Sequence, residues 1–598
     1  MSHNTSKGGL RPYRFTIFLG SIAVLGAALI LLRVSHGIGL RTDGMYYIEL
    51  ARALADGERG LAWLSGGMPY LEWRSHPAWE GYTPLAQSAF WPPLLSILLV
   101  TFGGFAIDPL LVAGPLNAAA FALTIFIAGH WLRQRLRSRF LVVLGSLALL
   151  FSIPMAWRAS WVMGEAVFIL FATLALYCNE RFLTLGRRSS LVWAAAFTAL
   201  ACLTRYAGLF LIVAFVPLLA MQRGVDWLEK GRRIGAYLAV ATLPLGIWIL
   251  RNLLATGTLT GPRAGDPHRS FVFNSALALR AIEAWNPLLV DLRVTLIPVD
   301  PRTGWIVGGI VVGVFLVALA AVVSWCIMRW WKTAGRTSSF VPVVGGFVCG
   351  YVPFIVIMTS LAPMPEIPRY LTPAYVPLTL LVFFVVDRCV ANHQTLRLPT
   401  WRHGSQFRRF MGMEPSRILC GMPVVALAAS VGYAGYTSVR DTRTAVLHPE
   451  YGWNHLGYNA EHPRVDASSA VRYLERHLAD ARPAVRSHYD LYLANGDLLY
   501  FRETCGEQNV QASSMRAGDT RTTFFLYVYP VDKADLPGHR KEYGAENFFF
   551  INTSARVVRT AGRCLAVAPL PDYEIESIRT GQYEGDLTLW EETFTPEQ

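Results

Sequence analysis

Four residues of this chain combine useful chemistry with suggestive positions. Asp43 lies in Arg41-Thr42-Asp43-Gly44-Met45-Tyr46-Tyr47-Ile48-Glu49-Leu50-Ala51-Arg52-Ala53-Leu54, directly after the apolar run Phe15 to Leu32. Glu165 follows Trp157-Arg158-Ala159-Ser160-Trp161, Arg205 sits in Leu203-Thr204-Arg205-Tyr206-Ala207-Gly208, and Arg369 sits in Met364-Pro365-Glu366-Ile367-Pro368-Arg369-Tyr370-Leu371-Thr372-Pro373. Carboxylates with guanidinium groups suit a reaction that expels a phosphate. One Asp takes a proton from an acceptor while arginines hold the departing phosphate bidentately. Each residue also has a plainer reading. Tyr47, Leu50, Ala51 and Leu54 recur at helical spacing and Gly57 closes the run, so Asp43 stands where a helix begins and caps its free N–H groups. An arginine at the end of an apolar span reaches lipid headgroups at little cost.

The elements that position these residues follow from composition. The 598 residues are 53% apolar and 16% charged, with a mean hydropathy of +0.35, which is too apolar for an ordinary soluble chain. Long apolar runs recur through Tyr436 and then stop. Two domains are expected: a polytopic helical membrane domain over 1–438 and a small soluble α/β domain over 439–598. The net charge of +13 does not point to nucleic acid, because the positive residues concentrate in short loops between spans, the positive-inside pattern of a bacterial inner-membrane protein. The basic N-terminus precedes an apolar run with no small-x-small cleavage site, and reads as an uncleaved first span. Of the eight cysteines, Cys505 and Cys564 are the pair in the tail; a disulfide and two buried thiols are equally open readings.

Charge sidedness also threads the chain. If Phe90 to Phe105 crossed the membrane, Arg133, Arg135, Arg137 and Arg139 would lie outside. Read instead as an interfacial helix broken at its start by Pro92-Pro93, it leaves them inside. Spans then fall near 15–32, 110–132, 140–156, 165–180, 189–203, 207–221, 234–254, 305–328, 340–361, 370–387 and 418–437. That is eleven, with the N-terminus inside and the C-terminal domain outside. Asp43, Glu165, Arg205 and Arg369 all fall on the outer side. Two outer segments are long, Val34 to Ala89 and Ala255 to Arg302. In the tail, 522–528, 547–551 and 564–568 read as strands, and a helix begins near Asp466 and Ser468. No Gly-x-x-x-x-Gly-Lys loop and no Gly-x-Gly-x-x-Gly after a strand is present, so a soluble nucleotide donor is not indicated.

The order of these pieces resembles the GT-C superfamily of polyprenyl-phosphate-sugar glycosyltransferases. The branch is that of protein O-mannosyltransferases, lipid A aminoarabinose transferases and lipopolysaccharide-core galacturonic acid transferases. Asp43-Gly44-Met45-Tyr46-Tyr47 is similar to its Asp-x-x-Tyr-Tyr first-loop motif. Tyr82-Thr83-Pro84 and Phe90-Trp91-Pro92-Pro93-Leu94 are similar to its Pro-Pro entry to a juxtamembrane helix. Gly164-Glu165, Leu203 to Gly208 and Glu366 to Pro373 are similar to its later acidic and arginine elements. The resemblance implies inverting transfer to an acceptor hydroxyl, with Asp43 as base and Glu165 as a second acidic residue near acceptor or donor. Arg205 and Arg369 take the phosphate role. Tyr46, Tyr47, Tyr206, Tyr370 and, in the second long outer segment, Arg263 are the candidate substrate contacts. Some relatives carry Glu-Lys where this chain has Trp91-Pro92. Asp43, Glu49, His76 and Glu80 offer oxygen or imidazole donors at no spacing that demands a metal, so no cofactor is required and a divalent metal is left open. The expected partners are a polyprenyl-phosphate-linked sugar, a glycan, lipid or protein acceptor, and membrane lipids, with no nucleic acid. A transporter or lipid flippase would share the spans and outer arginines, though no repeated half is visible. A membrane-anchored binding protein would not need eleven spans.

Overall fold

The computed structural model describes residues 11–35, 38–39, 42–55, 89, 91–260, 271–288, 328, 339–361, 367–395 and 415–447, and the strand segments 484–487, 523–527, 547–552, 557–562 and 564–566. The first part is a helical bundle: α1 (Arg11–Arg33), α2 (Thr42–Ala55), α3 (Leu94–Gly103), α4 (Pro109–Arg135), α5 (Arg139–Leu150), α6 (Ile153–Ala159), α7 (Glu165–Leu185), α8 (Arg188–Thr204), α9 (Leu209–Ala220), α10 (Trp227–Thr256), α11 (Phe271–Glu283), α12 (Phe340–Leu361), α13 (Ile367–Leu371), α14 (Tyr375–Thr395) and α15 (Pro415–Leu447).

Local chemistry sets many of the boundaries. Asp108, Ser138, Ser152 and Asp226 each accept a bond from a backbone N–H in the first turn of α4, α5, α6 and α10, satisfying groups that a helix start leaves open. Gly186 and Gly257 end α7 and α10 in the left-handed conformation, which glycine adopts without a Cβ clash.

Among the described residues, seven helices are long and apolar enough to cross a membrane, and the bent pair α5 and α6 makes up to eight. The protein is a multi-pass membrane protein. Burial separates centre from rim: the apolar windows of α4 and α7 are 56% and 72% buried, against 28% for α1 and 22% for α10 and α15. Close packing at the centre uses small residues. A Cβ on Gly145 would lie 2.7 Å from Leu132, and one on Gly26 2.7 Å from Ile125, so both allow neighbouring helices to approach closely. Away from the candidate site, the last residue of α4, Arg135, is tied to the fully buried Glu180 in the C-terminal half of α7. The Asp387 carboxylate accepts from the Arg137 and Ser138 backbone N–H groups at the start of α5.

Ten of the expected spans correspond to described helices; of 305–328, all but Met328 lies outside the described residues. The expected span 140–156 bends by 45°, because Ser152 caps a new helix with Pro154 in its first turn. The expected spans 189–203 and 207–221 are helices α8 and α9 of 17 and 12 residues. At 1.5 Å per residue these reach about 25 and 18 Å, less than a hydrocarbon core of about 30 Å. The segment 90–105 forms the ten-residue α3, about 15 Å long and too short to cross.

The C-terminal strands form one mixed sheet of β1 (Ala484–Ser487), β2 (Thr523–Tyr527), β3 (Asn547–Asn552), β4 (Val557–Gly562) and β5 (Cys564–Ala566), in that spatial order. The β1–β2 and β2–β3 pairs are parallel, and β3–β4 and β4–β5 antiparallel. Strands expected at 522–528, 547–551 and 564–568 are β2, β3 and β5; β1 and β4 were not anticipated. The expected helix near 466–478 and Cys505 lie outside the described residues. Helix α15 runs through position 438, where a domain boundary was expected, to Leu447.

Candidate active site

Four segments meet at one end of the bundle. The first leaves α1 and is pinned at Gly39, whose N–H donates to the Ser160 carbonyl and whose carbonyl accepts from Val162 N–H, both at 2.8 Å. A Cβ at Gly39 would lie 2.8 Å from the Trp161 ring, so the backbone can approach only without a side chain there. Helix α2 begins three positions on, and Asp43 is its second residue, as its capping type and the following periodicity predict. Tyr47, one turn later, is buried, and its carbonyl accepts from Ser96 Oγ of α3 at 2.8 Å. Its hydroxyl lies 3.4 Å from where a Gly164 Cβ would stand.

Gly164 ends the second segment, and Glu165 starts α7. The stretch before it is anchored where Asn117 Nδ2 donates to the Trp161 carbonyl at 2.7 Å. The third segment is the turn between α8 and α9. Arg205 is extended there, at φ −151° and ψ 137°. Gly208 closes the turn so tightly that a Cβ would lie 2.6 Å from the Cys202 backbone N. The fourth is α13, which carries Arg369.

These segments build a buried ion cluster. Glu165 is 1% exposed and Arg369 6%. Oε1 of Glu165 accepts from Nη1 of Arg205 and from Nε of Arg369. Oε2 is buried with no hydrogen-bond partner among the described residues. The Tyr370 ring lies 5.1 Å from the Arg205 guanidinium and 5.8 Å from that of Arg369, within cation–π range. Tyr351 Oη donates to the Tyr370 carbonyl at 3.0 Å, and the Tyr351 ring is stacked on Phe347 with centroids 5.0 Å apart. Arg158 and Tyr47 both lie in electrostatic reach of the cluster, Arg158 acting on Glu165 and Tyr47 on Arg205. Burying three charges is costly unless they pair. The shared oxygen pairs them and leaves two guanidinium charges against one carboxylate.

The structure therefore brings together Glu165, Arg205, Arg369 and Tyr370, with Tyr47 alongside. The headgroup-anchor reading of Arg369 fails, since its side chain is buried in protein. Tyr206, expected at substrate, is a junction: its hydroxyl donates to the Ala89 carbonyl at 2.7 Å and accepts from Trp248 Nε1 at 3.0 Å and Asn252 Nδ2 at 3.4 Å. It thus ties the end of the first outer segment to the end of α10. The side chains of Asp43, Tyr46 and Glu49, and the residues His76, Glu80 and Arg263, lie outside what is described. All four candidate metal donors are therefore outside it, and no three His, Cys, Asp or Glu side chains converge among the described residues. Sequence reasoning missed Tyr351, Trp248 and Asn252. Arg251-Asn252, a polar pair closing a long apolar run, was the available signal for the last two.

Fold and site define a multi-pass helical membrane protein with a buried carboxylate–diarginine cluster beside a helix that carries an aspartate in its first turn. No family model matches the sequence, and no curated protein does. Solved structures to which the fold is similar include ArnT from Cupriavidus metallidurans in the apo state, with 14% identity over 86% of each chain and a TM-score of 0.45. ArnT from the same organism bound to undecaprenyl phosphate gives 12% identity over 87% of this chain and 90% of that one, with a TM-score of 0.36. The S. cerevisiae protein O-mannosyltransferase Pmt1–Pmt2 complex bound to the sugar donor gives 15% identity over 44% of this chain and 36% of that one, with a TM-score of 0.30.

Proposed function

We propose that the chain is an inverting glycosyltransferase. It moves a sugar from a polyprenyl-phosphate donor to an acceptor hydroxyl at the outer face of a bacterial inner membrane, with the N-terminus cytoplasmic and the C-terminal domain outside. The observation that carries this reading is the placement of Arg205 and Arg369 on one buried carboxylate, Glu165, beside α2 with Asp43 in its first turn.

The chemistry balances with these groups. The Asp43 carboxylate takes the proton of the acceptor hydroxyl. The acceptor oxygen forms a bond to the anomeric carbon from the face opposite the phosphate. The anomeric C–O bond breaks, and the electron pair leaves with the polyprenyl phosphate. A phosphodiester with one negative charge becomes a monoester with two, so negative charge grows on the leaving group in the transition state. Fixed positive charge that is already oriented favours that state over the ground state. A guanidinium has five N–H donors and can bond a carboxylate and a phosphate oxygen at once. Glu165 in this role orients the arginines and limits their mutual repulsion; it moves no proton. Tyr47 and Tyr370 line the same region.

The test uses purified protein in nanodiscs supplied with a panel of undecaprenyl-phosphate-linked sugars and candidate glycan, lipid and peptide acceptors. Formation of glycosylated acceptor with stoichiometric undecaprenyl phosphate supports the proposal. Movement of the lipid-linked sugar between leaflets of proteoliposomes, without release of undecaprenyl phosphate, would establish a flippase instead.

A further inference from the structure

A second buried cation stands at the end of α1. Arg33 is 2% exposed. Its Nε donates to Thr442 Oγ1 at 2.9 Å, and its Nη2 to both the carbonyl and the Oγ of Ser438 at 3.1 Å. Ser438 and Thr442 are themselves buried, and both belong to α15. The nearby carboxylate is Asp441, which bonds to Arg440 at 3.3 Å and is partly exposed. A full charge is thus held mainly by neutral oxygens.

Such burial needs a reason. An apolar residue at position 33 would pack α1 on α15 without the desolvation cost that an enclosed guanidinium carries. What distinguishes Arg33 is where it sits in the chain. Gly39, pinned to Ser160 and Val162, follows six positions later, and α2 with Asp43 starts just beyond it. Between these points Val34 lies against Gly114, with its Cγ2 3.2 Å from where a Gly114 Cβ would stand. Ile38 is buried. The described residues between α1 and α2 are therefore held at two points, by a directional set of hydrogen bonds at Arg33 and by a backbone bridge at Gly39. An apolar contact at position 33 would resist separation of the helices but not sliding or rotation of α1. Three bonds to fixed oxygens on α15 resist both.

We propose that Arg33, with Ser438 and Thr442, is a positioning residue. It locks the end of α1 to the last helix and so sets where α2 places Asp43 relative to the Glu165 cluster. This rests on the reading of Asp43 as the base. The clamp also joins the first outer segment to the helix that leads toward the C-terminal strands.

The experiment compares wild type, Arg33→Gln, Arg33→Lys and the paired variant Ser438→Ala with Thr442→Val, each as the full chain in nanodiscs. Two readouts are taken: hydrogen exchange by peptide, and kcat and KM for the lipid-linked sugar that wild type uses. In Arg33→Gln, amide exchange in 42–55 should accelerate at least tenfold while α7 stays protected. Its kcat should fall about tenfold or more with KM unchanged, because displacement of a reacting group by about an ångström is enough for such a loss. The paired variant should show the same pattern, and lysine should fall between Arg33→Gln and wild type. Unchanged exchange in 42–55 would overturn the proposal, as would loss of protection spread evenly over α1, α7 and α15, which marks a packing role. Exchange is measurable whether or not wild type transfers sugar. Absence of transfer would therefore remove the transferase reading while leaving the clamp to stand or fall on its own.

Discussion

Glu165 and Arg369 are 204 positions apart in the chain and share one buried hydrogen bond at the end of the bundle. Arg205 donates to the same Glu165 oxygen. The cluster is therefore a product of topology. It holds two positive charges together, Arg369 buried and Arg205 partly exposed.

Glu165→Gln tests the electrostatics of that arrangement. The amide keeps the shape but removes the charge, leaving Arg205 and Arg369 buried and mutually repelling. Breaking a buried ion pair by removing one partner costs roughly 3–5 kcal/mol. The variant should be recovered in lower yield and melt at lower temperature, and added inorganic phosphate should raise its melting temperature more than it raises that of wild type. Equal melting temperatures for Glu165→Gln and wild type would show that the carboxylate does not hold the arginines.

Arg205→Lys and Arg369→Lys should each retain expression and lose transfer. Lysine keeps the charge, yet it lacks the planar fork that can hold Glu165 and a phosphate oxygen together and that lies beside the Tyr370 ring. Steady-state kinetics should show at least a tenfold fall in kcat/KM for the lipid-linked sugar. Wild-type kinetics in both variants would remove these residues from the donor site.

Tyr351→Phe removes one hydroxyl, the donor to the Tyr370 carbonyl. The stability cost of a single hydrogen bond is about 0.5–1.5 kcal/mol, more if the carbonyl is left buried without a partner. Folding should survive. Because Tyr370 lies beside both arginines, kcat should fall several-fold while the acceptor KM holds. A change confined to thermal stability would make Tyr351 a packing residue only.

Topology is tested separately. A cysteine placed at the exposed position 137, in a background without native cysteines, should be labelled only from the cytoplasmic side, in keeping with α3 as an unspanned helix and the arginine-rich end of α4 inside. Labelling from the periplasmic side would invert the threading.

Local features of the fold were readable from sequence because their causes are local. The α2 start near Asp43 follows from the helical periodicity of Tyr47, Leu50, Ala51 and Leu54. The short α3 follows from Pro92-Pro93, and β2 and β3 from runs such as Thr523 to Tyr527. The shared carboxylate was not readable. Glu165, Arg205 and Arg369 each satisfy a plain local reading as span-end residues, and no local pattern records which of them meet. The bonds of the Tyr206 hydroxyl to Trp248 and Asn252 were not readable either, because those partners lie at the end of an apolar run where polarity carries little periodic signal. Hydropathy places 189–203 and 207–221 as separate helices, and the extended Arg205 with the tight turn at Gly208 is the break between them.

The central claim is that Asp43 is the base of a transfer whose leaving phosphate is met by the arginine cluster. The most direct measurement is single-turnover transfer by purified Asp43→Asn in nanodiscs, at saturating lipid-linked sugar, with the amount of folded protein fixed by its melting profile. Loss of a general base lowers a rate by about 10²–10⁴-fold, and a fall of that size with donor binding intact is the predicted result. Retention of more than about a tenth of wild-type turnover by a folded Asp43→Asn protein would contradict the account, since removal of a general base typically costs about 10²–10⁴-fold.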